Sequence, residues 1–193
     1  MAAGVALTAA RRLGREGGNG DFMAGAGTPV IGGRMPALVL PACDGGPEIR
    51  LRAPGRLATV LVALHADCAP CDAYVAELAA QEPELRDWDG CVVVVRGASP
   101  PADGAPSDPA RKTADSRAAL HRTGDRMRAA ADPDGRLTGA GIIAPAVLIA
   151  DQWGELFAVE SAGAAHHLLA PDEVIDWLRY LAVQCPECQG EAR

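Results

Sequence analysis

Two cysteine pairs with C-x-x-C spacing are the chemically distinctive feature of this chain of 193 residues. The first, Cys-Ala-Pro-Cys at residues 68–71, follows an apolar run at 59–64, and the second, Cys-Pro-Glu-Cys at 185–188, lies near the C-terminus. Two thiols at this spacing can form and break a disulfide or share a metal ion. A pair placed where a strand gives way to a helix is more often a redox site than a structural one.

The predicted helix start makes the two cysteines of the first pair unequal. Free backbone N–H groups and the positive helix end stabilise a thiolate at Cys68, whereas Cys71 lies one turn further and is more shielded. We therefore predict that Cys68 is the nucleophile and Cys71 the resolving thiol of a thiol–disulfide exchange. The carboxylate of Asp67 should oppose ionisation of Cys68 by like-charge repulsion. The alternative is that the pair forms half of a zinc site.

The remaining cysteines and one histidine have simpler interpretations. His65 stands just before the first pair and could exchange protons with a cysteine, or it is only a polar residue at a strand end. Cys91 begins a hydrophobic strand and is predicted to be a small buried hydrophobe. Cys43 stands in a turn and is predicted to be an incidental thiol, although it could act as a remote resolving cysteine.

The second pair has two main interpretations besides that of a plain tail. It could be a mobile dithiol that passes electrons to or from the first pair. Alternatively, Cys185 and Cys188 could hold zinc, with His166 and His167 or a second chain completing the site. The zinc content of the protein, and its loss in a Cys185→Ser variant, would separate these interpretations.

Composition and charge exclude several classes of partner. The formal net charge is −7, which argues against general nucleic-acid binding and against binding to an anionic membrane. No apolar run approaches the roughly 20 residues that span a bilayer. The apolar stretch at the N-terminus precedes its arginines, the reverse of a secretory signal, so the sequence predicts a cytoplasmic protein. In that compartment the six cysteines are expected to be reduced, catalytic or metal-bound rather than locked in disulfides.

The elements that must position these residues follow from hydrophobic patterning and turn signals. Strands are predicted at 38–40, 48–51, 58–65, 91–95, 127–131, 146–150 and 155–159, and helices after residue 68, at 115–122 and from residue 171. Residues 1–30 are predicted to be a disordered leader, 31–184 one domain with a flexible loop at 97–113, and 185–193 a tail. This order predicts an α/β sandwich with a central mixed β-sheet flanked by helices.

The element order and its junctions resemble the thioredoxin superfamily, in the redoxin branch related to alkyl hydroperoxide reductase and thiol-specific antioxidant proteins. The resemblance spans roughly residues 32–182. It is carried by the hairpin at 36–45, the Cys-Ala-Pro-Cys motif, the Asp-Pro-Asp-Gly turn at 132–135, Ala144-Pro145 and the turn at 151–155. It implies a thioredoxin-like sandwich in which Pro145 is cis and lies against the cysteine pair.

The resemblance implies a thiol–disulfide oxidoreductase that reduces a protein disulfide and receives its electrons from an upstream dithiol donor. It implies no required cofactor, and such a protein could form a homodimer. Two departures keep alternatives open. Thioredoxins usually have an aromatic residue where this chain has Asp67, and a peroxiredoxin has a hydroxyl residue three positions before its peroxidatic cysteine, where Cys68 would stand if Cys71 held that role. The alternatives are a thiol peroxidase and a non-catalytic binding subunit or assembly chaperone with metal at the tail.

Overall fold

A computed structural model of the chain describes residues 27–52, 55–66, 68–97, 126–161 and 167–184. The strands are β1 (Val39–Leu40), β2 (Ile49–Arg50), β3 (Ala58–Leu64), β4 (Gly90–Gly97), β5 (Met127–Asp132), β6 (Ala146–Asp151) and β7 (Leu156–Ser161). The helices are α1 (Ala69–Ala80), α2 (Glu82–Asp87), α3 (Arg136–Gly139) and α4 (Pro171–Ala182). The predicted helix at 115–122, nearly all of the predicted loop at 97–113 and the tail lie outside the described residues.

The larger sheet has five strands in the order β5-β4-β3-β6-β7. Strands β3, β4 and β5 run parallel, whereas β6 is antiparallel to β3 and β7 is antiparallel to β6. Strands β1 and β2 form a separate antiparallel hairpin. The predicted fold class, a mixed sheet flanked by helices, is therefore confirmed.

Strand β3 occupies the centre because its sequence suits burial on both faces. All seven of its residues are buried. Val62 pairs with Val94 of β4 on one side and with Val147 of β6 on the other. A run of apolar residues that do not alternate with charged or strongly polar ones is typical of a strand covered on both faces.

Helices α1, α2 and α4 cover one face of this sheet. Their buried apolar residues join those of the strands in one core cluster, with Leu78, Leu85 and Leu178 fully covered. The residues of α4 that are buried against the sheet are Val174, Ile175, Leu178 and Leu181. Trp177 is half-buried against the same core, with its ring centroid 5.7 Å from that of Tyr180.

The other face is covered by the β1–β2 hairpin and α3. Leu40, Ile49 and Leu137 pack there against the strand side chains that point away from α1, α2 and α4. Cys91 belongs to this face and is 5% exposed, so its prediction as a buried small hydrophobe is confirmed.

Helix α1 ends at Ala80, and α2 begins two residues later. Pro83 lies in the first turn of α2, where its missing N–H has no helical partner to lose. Helix α3 was not predicted as an element. It follows the predicted turn because the buried carboxylate of Asp132 accepts hydrogen bonds from the N–H groups of Arg136 (2.8 Å) and Leu137 (2.9 Å).

Candidate functional site

The C-terminal ends of β3 and β4 and the start of β6 meet at one edge of the sheet. In the register, Leu64 at the end of β3 pairs with Arg96, and Ala63 pairs with Ala146 at the start of β6. His65 directly follows β3 and Pro145 directly precedes β6. The pairing therefore places His65, Arg96 and Pro145 at the same edge, although they are distant in the chain.

Helix α1 begins at this edge with Cys68 as its N-cap. The Cys68 backbone is extended (φ −123°, ψ 106°), and its carbonyl accepts a hydrogen bond from the N–H of Asp72 at 3.0 Å. Pro70 lies in the first turn, where a proline removes no helical hydrogen bond. Cys68 is half-buried, while Cys71, one turn further along, is 2% exposed. The predicted difference in shielding between the two thiols is thus present in the structure.

His65, Cys68 and Cys71 form a compact cluster. One ring nitrogen of His65 and the two sulfur atoms lie within 4.8 Å of one another. The Cys71 thiol is hydrogen-bonded to Cys68, and the backbone of His65 also hydrogen-bonds to it. Within the described residues this is the one group of three or more histidine, cysteine or acidic side chains arranged closely enough to hold a metal ion.

The environment of Cys71 favours its neutral form. Burial is the largest cause and, with the hydrogen bond to Cys68, raises the pKa of Cys71 from 9.0 to about 11. The hydrogen bond from the His65 backbone and the positive charge of Arg96 act in the opposite direction. Cys71 is therefore a thiol at neutral pH unless a base or a nearby charge assists its ionisation.

Arg96 is the site residue that sequence reasoning missed. Its side chain is 12% exposed and its Nη2 atom donates to the carboxylate of Asp72 at 2.5 Å. Its Nε and Nη1 atoms are buried and find no hydrogen-bond partner among the described residues. A signal was present in the sequence, since Arg96 is the charged residue that follows the run Cys-Val-Val-Val-Val of β4. Without the strand register, nothing connected it to Cys71.

The loop before β6 contains the cis peptide bond that the resemblance implied, between Ala144 and Pro145. Ile143, just before it, is 64% exposed, and its carbonyl accepts a hydrogen bond from the hydroxyl of Ser161 at 3.2 Å. The loop therefore presents an exposed apolar side chain, two residues before the buried Pro145, at the edge of the sheet where the cysteine cluster lies. The role of Pro145 in exchange stays a prediction.

Tyr74 fixes the orientation of α1 at the site. Its hydroxyl donates to the carbonyl of Leu169, just before α4, at 2.9 Å. Burial of this phenol raises the pKa of Tyr74, so the hydroxyl remains a donor at physiological pH. The contact ties the start of the cysteine helix to the segment that leads into α4.

The other candidate residues are not brought to this edge. Cys91 pairs with Thr59 near the opposite end of β3, and the N–H of Cys43 donates to Ala129 in β5 at 2.9 Å. His167 is exposed before α4. His166, Asp67 and the second cysteine pair, Cys185 and Cys188, lie outside the described residues. The predicted tail zinc site and the effect of Asp67 therefore stay predictions.

Comparison with known proteins rests on the fold. No family model and no curated protein matches this sequence. Solved structures do match over most of the described architecture, and they belong to one fold. The fold is thioredoxin-like.

Three of these thioredoxin-like structures illustrate the range. The exposed lipoprotein thioredoxin of Streptococcus pneumoniae is 20% identical, with 74% of this chain and 98% of that chain covered and a TM-score of 0.53. A peroxiredoxin-like protein from Aquifex aeolicus is 17% identical, with 80% of this chain and 89% of that chain covered and a TM-score of 0.59. The thioredoxin domain of a thiol-disulfide oxidoreductase from Bacteroides vulgatus is 14% identical, with 80% of this chain and 99% of that chain covered and a TM-score of 0.58. At these identities the likeness is one of fold.

Proposed function

We propose that this protein is a thiol–disulfide oxidoreductase that uses Cys68 and Cys71 as its dithiol. The observation that carries the proposal is the asymmetric placement of the pair at the start of α1. Cys68 is half-buried at the N-cap, whereas Cys71 is buried one turn further with its pKa raised. An accessible attacker next to a shielded second thiol is the arrangement that dithiol exchange requires.

In the first step, the thiolate of Cys68 attacks one sulfur of a substrate disulfide. A bond forms between the Cys68 sulfur and that substrate sulfur, and the substrate disulfide breaks. The second substrate sulfur leaves as a thiolate and takes a proton from solvent. The positive end of α1 and its free N–H groups stabilise the attacking thiolate.

In the second step, Cys71 resolves the mixed disulfide. Its thiolate attacks the Cys68 sulfur, the bond to the substrate breaks, and the second substrate thiol is released. The substrate has then gained two electrons and two protons, and the protein holds a Cys68–Cys71 disulfide. An upstream dithiol donor restores the reduced pair by the same chemistry in reverse.

The second step needs help, because the Cys71 thiol ionises only at a pKa of about 11 in the resting site. We assign that help to two neighbours. The imidazole of His65, within 4.8 Å of the Cys71 sulfur, accepts its proton, and the charge of Arg96 stabilises the thiolate as it forms. Attack then follows at the adjacent Cys68 sulfur.

The substrate class that fits the site is an extended protein segment with a disulfide. The exposed Ile143 precedes β6 at the sheet edge where α1 begins, and it offers an apolar contact for a bound chain. The cytoplasmic location predicted from the sequence stays a prediction, and one fold neighbour is itself described as an exposed lipoprotein. Within the described ranges, no helix has the length and apolar character needed to cross a bilayer.

The proposal is tested by reduction of insulin disulfides with dithiothreitol as electron donor. Wild-type protein should accelerate the reaction, and Cys68→Ser should reduce the rate to that of dithiothreitol alone. Cys43→Ser is the matched control, because Cys43 lies away from the cluster and should leave the rate unchanged. A Cys71→Ser variant should accumulate a mixed disulfide between Cys68 and substrate, visible by mass spectrometry. Equal rates for wild type and Cys68→Ser would defeat the proposal and favour a non-catalytic binding role.

The peroxidase alternative requires Cys71 to attack peroxide as a thiolate. Burial of Cys71 and its raised pKa oppose this role, since the thiol is the poorer nucleophile. We therefore place dithiol exchange ahead of peroxide reduction. Rapid formation of a sulfenic acid at Cys71 on mixing with hydrogen peroxide would reverse that order.

A further inference from the structure

We propose that the reduced cluster of His65, Cys68 and Cys71 is also a binding site for a soft monovalent metal ion, Cu(I), held by two thiolates and one imidazole. This goes beyond disulfide exchange. It uses the same two cysteines but requires no exchange activity. The proposal rests on the geometry of the three ligands and on the charge beside them.

The spacing of the three ligand atoms fits a single ion. Three ligands spaced evenly around one metal at roughly 2.0–2.3 Å lie roughly 3.5–4.0 Å from each other. The His65 nitrogen and the two sulfur atoms lie within 4.8 Å of one another, so shifts of at most roughly half an ångström to an ångström bring all three onto a common ion. His65 and Cys68 are half-buried and Cys71 is buried, which shields the ion from water without closing access to it.

The ligand set favours a soft ion that accepts three ligands. Thiolates select Cu(I) and zinc among the common metals, and imidazole suits both. A structural zinc site is almost always closed by four protein ligands. The described residues supply three, and no fourth histidine, cysteine or acidic side chain joins the group within that part of the chain. Cu(I) is satisfied by such a set, whereas a zinc ion held by these three residues alone would need a fourth ligand, such as water.

The charge of the site separates the two ions further. Two thiolates and a neutral imidazole around a monovalent ion carry a net charge of −1. Arg96 pairs with Leu64 at the same sheet edge; its Nη2 binds Asp72, and its Nε and Nη1 are buried and unpartnered among the described residues. Its charge stabilises the anionic Cu(I) complex. The same complex with a divalent ion is neutral and gains nothing from Arg96.

Binding involves proton release and no electron transfer. The two cysteine thiols each lose one proton to solvent as their sulfur atoms bond to the metal, and neutral His65 donates a nitrogen lone pair. The Cys68–Cys71 disulfide has no thiolates to offer, so the oxidised protein cannot bind in this way. The metal and a disulfide substrate therefore compete for one reduced pair.

The test is an anaerobic titration of the reduced full chain with Cu(I), in competition with bicinchoninate. A Cys185→Ser/Cys188→Ser background removes the tail pair as a second site. We expect one Cu(I) per chain in that background, and no binding at the same competitor concentration when Cys68→Ser is added. His65→Ala should weaken binding at least tenfold, whereas His167→Ala, the matched exposed histidine, should leave it unchanged.

Two further measurements discriminate between metals and ligands. X-ray absorption should give two sulfur ligands and one nitrogen ligand per copper. Arg96→Met should weaken Cu(I) binding about tenfold and leave Zn(II) binding unchanged. Unaltered Cu(I) affinity in Cys68→Ser or His65→Ala, with thermal unfolding showing that the variants are folded, would overturn the site. Tighter binding of Zn(II) than of Cu(I) by the same residues would overturn the choice of ion. Neither result bears on the insulin assay, so the two proposals fail separately.

Discussion

The two ends of the parallel strands β3, β4 and β5 use arginines in opposite ways. At the N-terminal end, one carboxylate, that of Asp89, accepts hydrogen bonds from Arg126 (2.5 Å), Arg56 (3.0 Å) and the N–H of Leu57 (3.3 Å). Burial alone would raise the pKa of Asp89, but the two arginines hold it below its ordinary value. This end is a clamp in which two arginines share one carboxylate and which joins the starts of three strands.

The C-terminal end holds the reactive groups. Arg96 has one carboxylate partner, Asp72, whose side chain is 55% exposed. Beside it lie two thiols and an imidazole, and burial holds Cys71 in its neutral form. The N-terminal end therefore joins strands through ion pairs, whereas the C-terminal end places one arginine at the sheet edge that carries the thiols.

The largest expected effect is the response of the reactive end to alkaline pH. Cys71 stays neutral in the folded, reduced protein until the pH nears 11, whereas an unfolded thiol ionises near 8.5. Its contribution to stability is therefore complete below about pH 8.5 and is lost as the pH rises towards 11. Over that window the free energy of unfolding should fall by about 2 to 3 kcal/mol on account of Cys71. Urea titrations from pH 7 to 11 measure this fall.

Cys71→Ser is the variant that isolates this term. It should lose that share of the alkaline slope and keep the share of other groups whose pKa burial raises, including Cys91 and Tyr74. An alkaline slope identical to that of wild type would show that Cys71 is not held neutral by the fold.

The next effect concerns the clamp. Asp89→Asn keeps a residue that tolerates the left-handed backbone at this position (φ 49°) but removes the charge that pairs with Arg126 and Arg56. We expect a loss of about 1 to 2 kcal/mol in the free energy of unfolding, reduced by the partial exposure of the carboxylate. The exchange rate of the folded protein should not change, since Asp89 lies at the opposite end of the sheet.

The pH dependence of this variant has the opposite sign to that of Cys71. A carboxyl with a lowered pKa stabilises the fold above the unfolded value near 3.9, and this contribution disappears as the pH falls through the folded pKa. Wild type should therefore lose stability in acid more steeply than Asp89→Asn. A variant with unchanged stability and a reduced exchange rate would contradict the division between the two ends.

The smallest effect on stability, but a measurable one on rate, is expected at Arg96. Arg96→Met removes the cation next to Cys71 while keeping a long apolar side chain. The free energy of unfolding should change by less than about 1 kcal/mol, because the lost ion pair is largely exposed on its acidic side. Insulin reduction should slow about tenfold, equivalent to one pKa unit for the resolving thiol.

Arg96→Lys is the matched control for charge. It should restore most of the rate, and the pH profile of exchange should shift upward in Arg96→Met and not in Arg96→Lys. Loss of stability without any shift in the pH profile of Arg96→Met would assign Arg96 to the fold alone.

The sequence was sufficient for the local features of the site. The apolar run of β3 predicted a central buried strand because it has no polar alternate residues. The Cys-Ala-Pro-Cys motif after that strand predicted a helix start with an outer and an inner thiol. These predictions hold because strand burial, helix initiation and turn chemistry depend on residues close together in the chain.

Two smaller elements show where local signals were incomplete. The four-residue helix α3 is initiated by hydrogen bonds from its backbone to buried Asp132, and a helix this short leaves no periodic pattern to read. The half-burial of Trp177 is the second case. The spacing of apolar residues shows which face of a helix points to the core, but it does not show how far the neighbouring surface extends over each residue.

Only the tertiary structure decided which residues lie around Cys71. The parallel register of β3 and β4 places Arg96 at the edge where α1 begins, and it meets Asp72 across 24 residues of sequence. The antiparallel register of β6 places the cis-proline loop at the same edge. Register is fixed by burying both faces of the sheet at once, a constraint that no short stretch of sequence contains. The chain thus determined which thiols could react, and the packed sheet determined which charges surround them.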